Sequence, residues 1–166
     1  MREISVEELN LNPLEKIDRE WMLCTAGGAG SYNTMTCSWG HLGTLWNLPT
    51  ALCYVRPQRY TREFIDREAR YTLCFFPARY KKALRYLGTK SGRDEDKVAA
   101  VGLTPVHEGD YTYFAEASLV LICRTLYQAP LREEFFRDPA VVDKNYPQKD
   151  FHDLYIGQIE KILVQD

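Results

Sequence analysis

The sequence predicts a mainly β protein with a few short helices, closed or partly closed into a barrel. Three observations lead there. Strand-like segments recur along the chain, separated by turns that contain Gly and Pro. The short helical stretches between them do not fall into the regular alternation that builds a parallel, doubly wound sheet. Within residues 119–126 the apolar side chains run nearly unbroken, as expected of a strand covered on both faces.

Taken in order, Ser5-x-x-Glu8 has capping-box spacing and predicts a short helical turn. Pro13 suits the first turn of another short helix, through Arg19. Residues 20–26 read as a strand stopped by Gly27-Gly28-Ala29-Gly30, and residues 34–39 as a second. A third, residues 50–56, is rich in apolar side chains and closes at Pro57. Thr61 is placed to cap a helix over residues 62–68. Residues 70–76 form a strand; residues 78–87 read as a helix with Gly88 at its end, and 94–101 as another ending at Gly102. Strands then dominate, over 104–107, 112–114, 117–128 and finally 153–164.

The chain of 166 residues fits one domain spanning 1–166 and is long enough to bury a sizeable core. A net charge of -2 argues against a generic nucleic-acid or membrane-surface binder, which normally carries a basic excess. No secretory signal or bilayer-spanning apolar run is expected. The cysteines at 24, 37, 53, 74 and 123 are odd in number and contain no CxxC pair. Free cysteines in such apolar surroundings act as small hydrophobes, which fits a reduced, cytoplasmic setting.

The strong catalytic signatures are missing from the sequence. There is no GxxxxGK[ST], HExxH or GxSxG, and no His/Cys group has metal-ligand spacing. Gly28-Ala29-Gly30-Ser31-Tyr32-Asn33 begins like a dinucleotide fingerprint but ends in Asn, with no helix expected after it; it makes sense as a turn between strands.

Two regions stand out. In Ser31 to Gly40, the short polar side chains of Asn33, Thr34, Thr36 and Ser38 have a spacing suited to one flat, hydrogen-bonding ligand, with Met35 and Trp39 supplying apolar surface. The same composition also describes a hairpin with solvated hydroxyls. In Val55 to Arg62 a strand ends and a helix begins, so free backbone N–H groups and the positive helix end meet Arg59 and Thr61. That combination describes a phosphate site, and equally a helix cap with surface arginines. Lys90 to Lys97 is a polar loop able to add cations to an anionic ligand, or simply a solvated face. His152, beside Asp153 at the start of the last strand, is the histidine best placed to shuttle a proton or position a nicotinamide; a surface or interface role is the alternative. His41 and His107 have no evident partner. Glu116 opens an apolar strand, so it is expected to face solvent or pair with a base.

Read together, five segments resemble the flavin-reductase-like family. They are Asn33-Thr34-Met35-Thr36-Cys37-Ser38-Trp39-Gly40, Tyr54-Val55-Arg56-Pro57-Gln58-Arg59-Tyr60-Thr61, Ser91-Gly92-Arg93-Asp94-Glu95-Asp96-Lys97, Phe114-Ala115-Glu116-Ala117 and His152-Asp153-Leu154-Tyr155-Ile156-Gly157-Gln158-Ile159. Their order matches that of the family, over roughly residues 21–163, and the flavoredoxin-type subgroup looks nearest. The resemblance implies an FMN-binding split β-barrel of Greek-key type and a homodimer holding FMN near the subunit interface. It places Asn33, Thr34, Met35, Thr36, Cys37, Ser38 and Trp39 along the flavin ring and ribityl chain. Arg59, Tyr60 and Thr61 belong to the phosphate end, with Lys97 in support of the phosphate or ribityl end, and Arg56 is a further cofactor-binding residue. It implies NADH or NADPH as electron donor with His152 on the nicotinamide side, or an electron-transfer protein working with a redox partner. Cys37 departs from the family's small or apolar residue, and Gln158 from an acidic one.

Overall fold

Most of the regular structure in residues 1–165, the part the computed structural model describes, is antiparallel strand. In chain order the elements are β1 (Arg2–Ile4), α1 (Pro13–Glu15, continued by a wide π turn over Lys16–Glu20), β2 (Met22–Gly28), β3 (Ser31–Cys37), β4 (Gly40–Leu45) and β5 (Leu48–Val55). Next come α2 (Tyr60–Arg67), β6 (Arg70–Phe75), α3 (Lys81–Thr89), α4 (Lys97–Ala100), β7 (Pro105–Glu108) and β8 (Tyr111–Phe114). The chain ends with β9 (Leu119–Pro130), α5 (Pro139–Asn145) and β10 (Asp153–Val164).

The main sheet runs β3-β2-β6-β9-β10-β5-β4, with β1 beside the far end of β10; β7 and β8 form a separate hairpin. Three strands separate β2 from β5 in this order, yet Cys24 Sγ of β2 lies 3.8 Å from Cys53 Sγ of β5. The sheet therefore curls until its faces meet. Register shifts in the β9–β10 ladder, at Ile156/Gly157 and Ile159/Lys161, supply local bending. The curl does not seal: β3 and β4 end the sheet path and share no ladder. Only Ser38 and Trp39 carry the chain from one of these edges to the other.

Strand alternation feeds two cores. Met22, Cys24 and Ala26 of β2, Leu73 of β6, and Leu119, Leu121 and Cys123 of β9 face the barrel interior. The intervening Leu23, Cys74, Val120 and Ile122 face outward, where Leu84 and Leu87 of α3, Val98 of α4 and the aromatic residues of β8 cover them. This double cover explains the unbroken apolar run read in β9. All five cysteines are free and buried, four of them in the inner core.

The last strand falls where the sequence places it, and most others shift by one or two residues. Four differences have clear causes. β4 escapes the sequence reading because its side chains are mostly exposed, and its turn to β5 uses Trp46 and Asn47, both at positive φ (55° and 59°), in place of the usual Gly-containing pair. α2 begins at Tyr60 with Arg59 in the capping position; Thr61 is inside the first turn and is no cap. α3 runs through Gly88 to Thr89. α5 was not anticipated, although Asp138 caps it and Pro139 occupies its first turn, a readable start signal. The Ser5–Glu8 box forms in part, with Ser5 N–H donating to Glu8 Oε2 at 2.7 Å. Glu116 finds backbone rather than a base, accepting from Thr104 N–H.

Gly157 tests the inner packing. A methyl group there would come within 2.5 Å of Tyr71 Oη and 2.9 Å of Cys123 Cβ, a cross-strand pair on β6 and β9. Gly157→Ala is therefore expected to destabilise the fold by about 1–3 kcal/mol, the usual cost of overpacking. Urea denaturation checks this, and an unchanged midpoint would contradict the packing described.

A candidate cofactor cleft at the sheet seam

The gap between the sheet edges opens into two joined hollows. One, of about 250 Å³, is lined by β3 and the crossing segment (Met35 to Trp39), by Tyr54, Arg56 and Arg59 near the end of β5, and by His152. The other, of about 160 Å³, lies between the start of α2 and the loop after α3, with Asn33, Tyr60, Thr61, Gly92 and Lys97 among its walls. Met35 and Arg59 belong to both. The fold thus gathers the residues singled out in the sequence, with one exception. Thr34 is fully buried, its hydroxyl is bonded to Thr25 Oγ1 at 2.8 Å, and it lines neither hollow. Thr34 is paired with Thr25 across the β2–β3 ladder, on the opposite face from its neighbours Asn33 and Met35.

In the smaller hollow, Asn33 Nδ2 donates to Thr61 Oγ1 at 2.7 Å, fixing β3 to the first turn of α2. Gly92 closes over this pair, and a Cβ at that position would collide with Asn33 Oδ1. Arg59 Nη1 donates to the carbonyl of Gly88 at 2.7 Å. Lys97 Nζ donates to the carbonyls of Leu87 and Lys90, at 3.1 and 3.0 Å. These carbonyls belong to the negative end of α3, a favourable place for cations. Among the described residues, neither Arg59 nor Lys97 has a carboxylate within ion-pair distance. Burial lowers the pKa of Arg59. Lys97, only 3% exposed, is brought down to about 8, first by burial and then by the charge of Arg59, with Glu95 opposing. Positive charge held this way in a hollow is poised for an anion.

The other nearby arginines are committed. Arg56 binds Asp150 Oδ2 at 2.5 Å and the Asn145 carbonyl at 2.9 Å. Arg62 pairs with Asp153 and Asp66, and Arg93 pairs with Glu63 while lying over the Tyr60 ring.

In the larger hollow, Thr36 Oγ1 donates to the Leu84 carbonyl, so its hydroxyl is already bonded. Met35 and Cys37 are nearly buried, whereas Trp39 is 43% exposed at the mouth. β3 is an edge strand, so backbone groups on its outer side have no ladder partner. His152 is buried with its ring 4.9 Å from that of Trp39, and its Nδ1 is 2.9 Å from Tyr146 Oη. Burial, reinforced by Arg56 and opposed by Asp150, lowers its pKa to about 4, so the ring is neutral at pH 7. The other histidines do have partners: His41 Nδ1 is 3.3 Å from Tyr54 Oη, and His107 Nδ1 is 2.8 Å from Thr112 Oγ1. The sequence reading of individual residues missed Tyr54 and Gly92 as wall residues; the matched segments containing them were the available signal. Among the described residues, no group of three or more His, Cys, Asp or Glu is placed to hold a metal ion. No helix there is long and apolar enough to cross a membrane.

A curled antiparallel sheet with an unsealed seam and a cationic cleft defines the split-barrel class, the FMN-binding fold of flavin reductases. A family model described as a flavin reductase like domain matches residues 14–166, and the chain belongs to that family. Flavoredoxin of Desulfovibrio vulgaris (Miyazaki F) is similar in structure, with a TM-score of 0.68 and 21% identity over 100% of this chain and 78% of that one. Nitrilotriacetate monooxygenase component B from Bacillus cereus gives 0.70 and 17%, over 100% and 82%. An FMN-binding protein from Thermus thermophilus, with bound 1-cyclohex-2-enone, gives 0.66 and 19%, over 99% and 80%. At these identities the likeness is one of fold. None of the curated proteins compared with the chain matches it.

The depressed pKa of His152 has a signed consequence for stability. Its unfolded value lies near 6.5 and its folded value near 4, so between them the unfolded chain binds more protons. The contribution is complete above pH 6.5 and is lost as pH falls towards 4. His152→Phe is expected to flatten that part of the stability curve, as read by urea denaturation across the window. An acid limb of unchanged slope would contradict the neutral, buried imidazole.

Proposed function

We propose that this chain is an FMN-binding oxidoreductase that accepts electrons from NADH or NADPH. The observation that carries the reading is a pair of cations, the half-buried Arg59 and the buried Lys97, directed at one hollow with carbonyls but no carboxylate around them. A flavin phosphate supplies the missing negative charge, assisted by the free N–H groups at the start of α2. Membership of the flavin reductase-like family, and the fold shared with a flavoredoxin and an FMN-binding protein, favour flavin over other phosphate-bearing ligands.

In this reading Arg59, Lys97, Tyr60 and Thr61 hold the phosphate end, and Asn33, oriented by Thr61, meets the ribityl chain. Met35, Cys37 and Trp39 flank the ring. The outer backbone edge of β3, from Thr36 to Ser38, offers N–H groups to the ring's polar rim and favours negative charge there. Thr34 acts through Thr25 as support for β3, and Arg56 holds the His152 side of the cleft through Asp150. When bound, flavin supplies the two-electron chemistry; the chain supplies orientation and electrostatics. His152 is a neutral wall residue on the nicotinamide side, with Nδ1 kept by Tyr146. A second copy of the chain completes a homodimer along the outer edge of β4, where Leu45 and Trp46 are exposed; sedimentation as a monomer would remove that part.

Arg59→Ala is expected to weaken FMN by about 1.5–3 kcal/mol while leaving riboflavin nearly unchanged, because only FMN carries the phosphate. Equal losses for both ligands would refute the phosphate assignment. FMN affinity should also fall as pH rises through 8: free Lys97 loses its proton there, and the bound phosphate requires it back. Titration of FMN against riboflavin from pH 7 to 9.5 checks the sign. Oxidation of NADH or NADPH by the FMN-loaded protein tests the donor. If FMN binds and neither nicotinamide is oxidised, the protein is an electron carrier and not a reductase.

A further inference from the structure

A third hollow, of about 510 Å³, shares Ser38, Trp39 and Tyr54 with the cleft and extends away from it towards α1 and α5. Its walls are chiefly Ile17, Leu42, Leu131, Phe136, Val141 and Tyr146. It contains no Lys or Arg, and its only carboxylate is Asp18. The two spaces therefore differ in charge. The cleft carries Arg56 and Arg59 at one end and Lys97 further in, whereas this hollow offers nothing to a pyrophosphate. Its size falls within the usual range of small-molecule pockets. At the shared wall Tyr54 Oη stands 3.3 Å from His41 Nδ1, giving the largely apolar space a polar pair next to the cleft.

We propose that this hollow binds the electron acceptor, an uncharged planar quinone, with its carbonyl directed at Tyr54. The apolar and aromatic walls take the ring, and Tyr54 donates a hydrogen bond to the oxygen. Asp18 and the lack of a cation disfavour anionic acceptors and the nicotinamide dinucleotide. The electron source rests on the function proposed above; the binding site itself does not. Two electrons and two protons convert the quinone to a hydroquinone. A hydride comes from the reduced flavin, which is oxidised, and a proton comes from Tyr54 Oη, replaced from solvent by way of His41.

Equilibrium dialysis of the purified chain, with and without FMN, tests the site directly. The probes are duroquinone, which is fully substituted and does not alkylate thiols, and its analogue with one methyl exchanged for a propionate. Saturable binding of duroquinone is expected, at least tenfold tighter than that of the anionic analogue. Val141→Trp and Leu14→Trp, at exposed wall positions, fill the hollow from two sides. Each is expected to weaken duroquinone at least tenfold without changing FMN affinity. Absence of saturable binding, including in a dimer that seals the hollow, overturns the proposal; so does equal binding of both probes, or unchanged affinity in both variants. If FMN fails to bind while duroquinone behaves as described, the flavin reading falls and the acceptor site stands.

Discussion

The two sheet edges that never pair are the constraint on which the rest of the molecule depends. β3 and β4 follow one another in the chain yet end the sheet path at opposite sides, and Ser38 and Trp39 alone carry the backbone across. A curl that sealed would consume the outer backbone groups of β3 in a ladder. Left open, that edge faces a cleft, and the turn from β5 into α2 and the start of β10 converge on the same opening. The surrounding helices then have defined tasks. α3 covers β3 and accepts the Thr36 hydroxyl, while α2 pins Asn33 through Thr61.

Charge is distributed around this opening with a clear division. Arginines with structural duties are paired: Arg56 with Asp150, Arg62 with Asp153 and Asp66, Arg93 with Glu63. Arg59 and Lys97 instead rest on carbonyls at the end of α3. Carbonyl dipoles steady a cation without neutralising it, so the unfavourable part of its burial remains available to a ligand. The mutual repulsion of two such cations, visible in the lowered pKa of Lys97, belongs to the same arrangement. A carboxylate in this position would make the free protein more comfortable and the cleft less attractive to anions.

Much of this was legible in the sequence, for identifiable reasons. β9 and β10 announce themselves because unbroken or alternating apolar runs have few other meanings. The strand-to-helix turn at Arg59 carries its own chemistry, and family resemblance assembled segments far apart in the chain. What failed was local geometry. Thr34 looked equivalent to Asn33 in composition, and only the pleat of β3 turns it towards Thr25. Thr61 looked like a cap and proved to be an acceptor for Asn33, because the helix starts two residues earlier. The loop of Lys97 read equally as a source of cations or as a solvated run, and only the resemblance singled Lys97 out, since its burial depends on carbonyls from α3 that no local pattern reveals. The apolar hollow beyond Trp39 was invisible for the same reason, being assembled from α1, β4 and the segment around α5.

The cysteines give the molecule one further property. Each thiol is buried, and Cys24, Cys74 and Cys123 are held well above the ordinary thiol range, Cys74 at about 12. These three thiols, buried and with so little thiolate, do not meet an alkylating reagent while the barrel is intact. Modification then waits for the structure to open, and its rate counts openings rather than chemical reactivity. Because Cys74 sits under the outer helices and Cys24 and Cys123 inside the barrel, the order in which they react separates the loosening of one layer from the breach of the other. The chain carries its own clock for local unfolding.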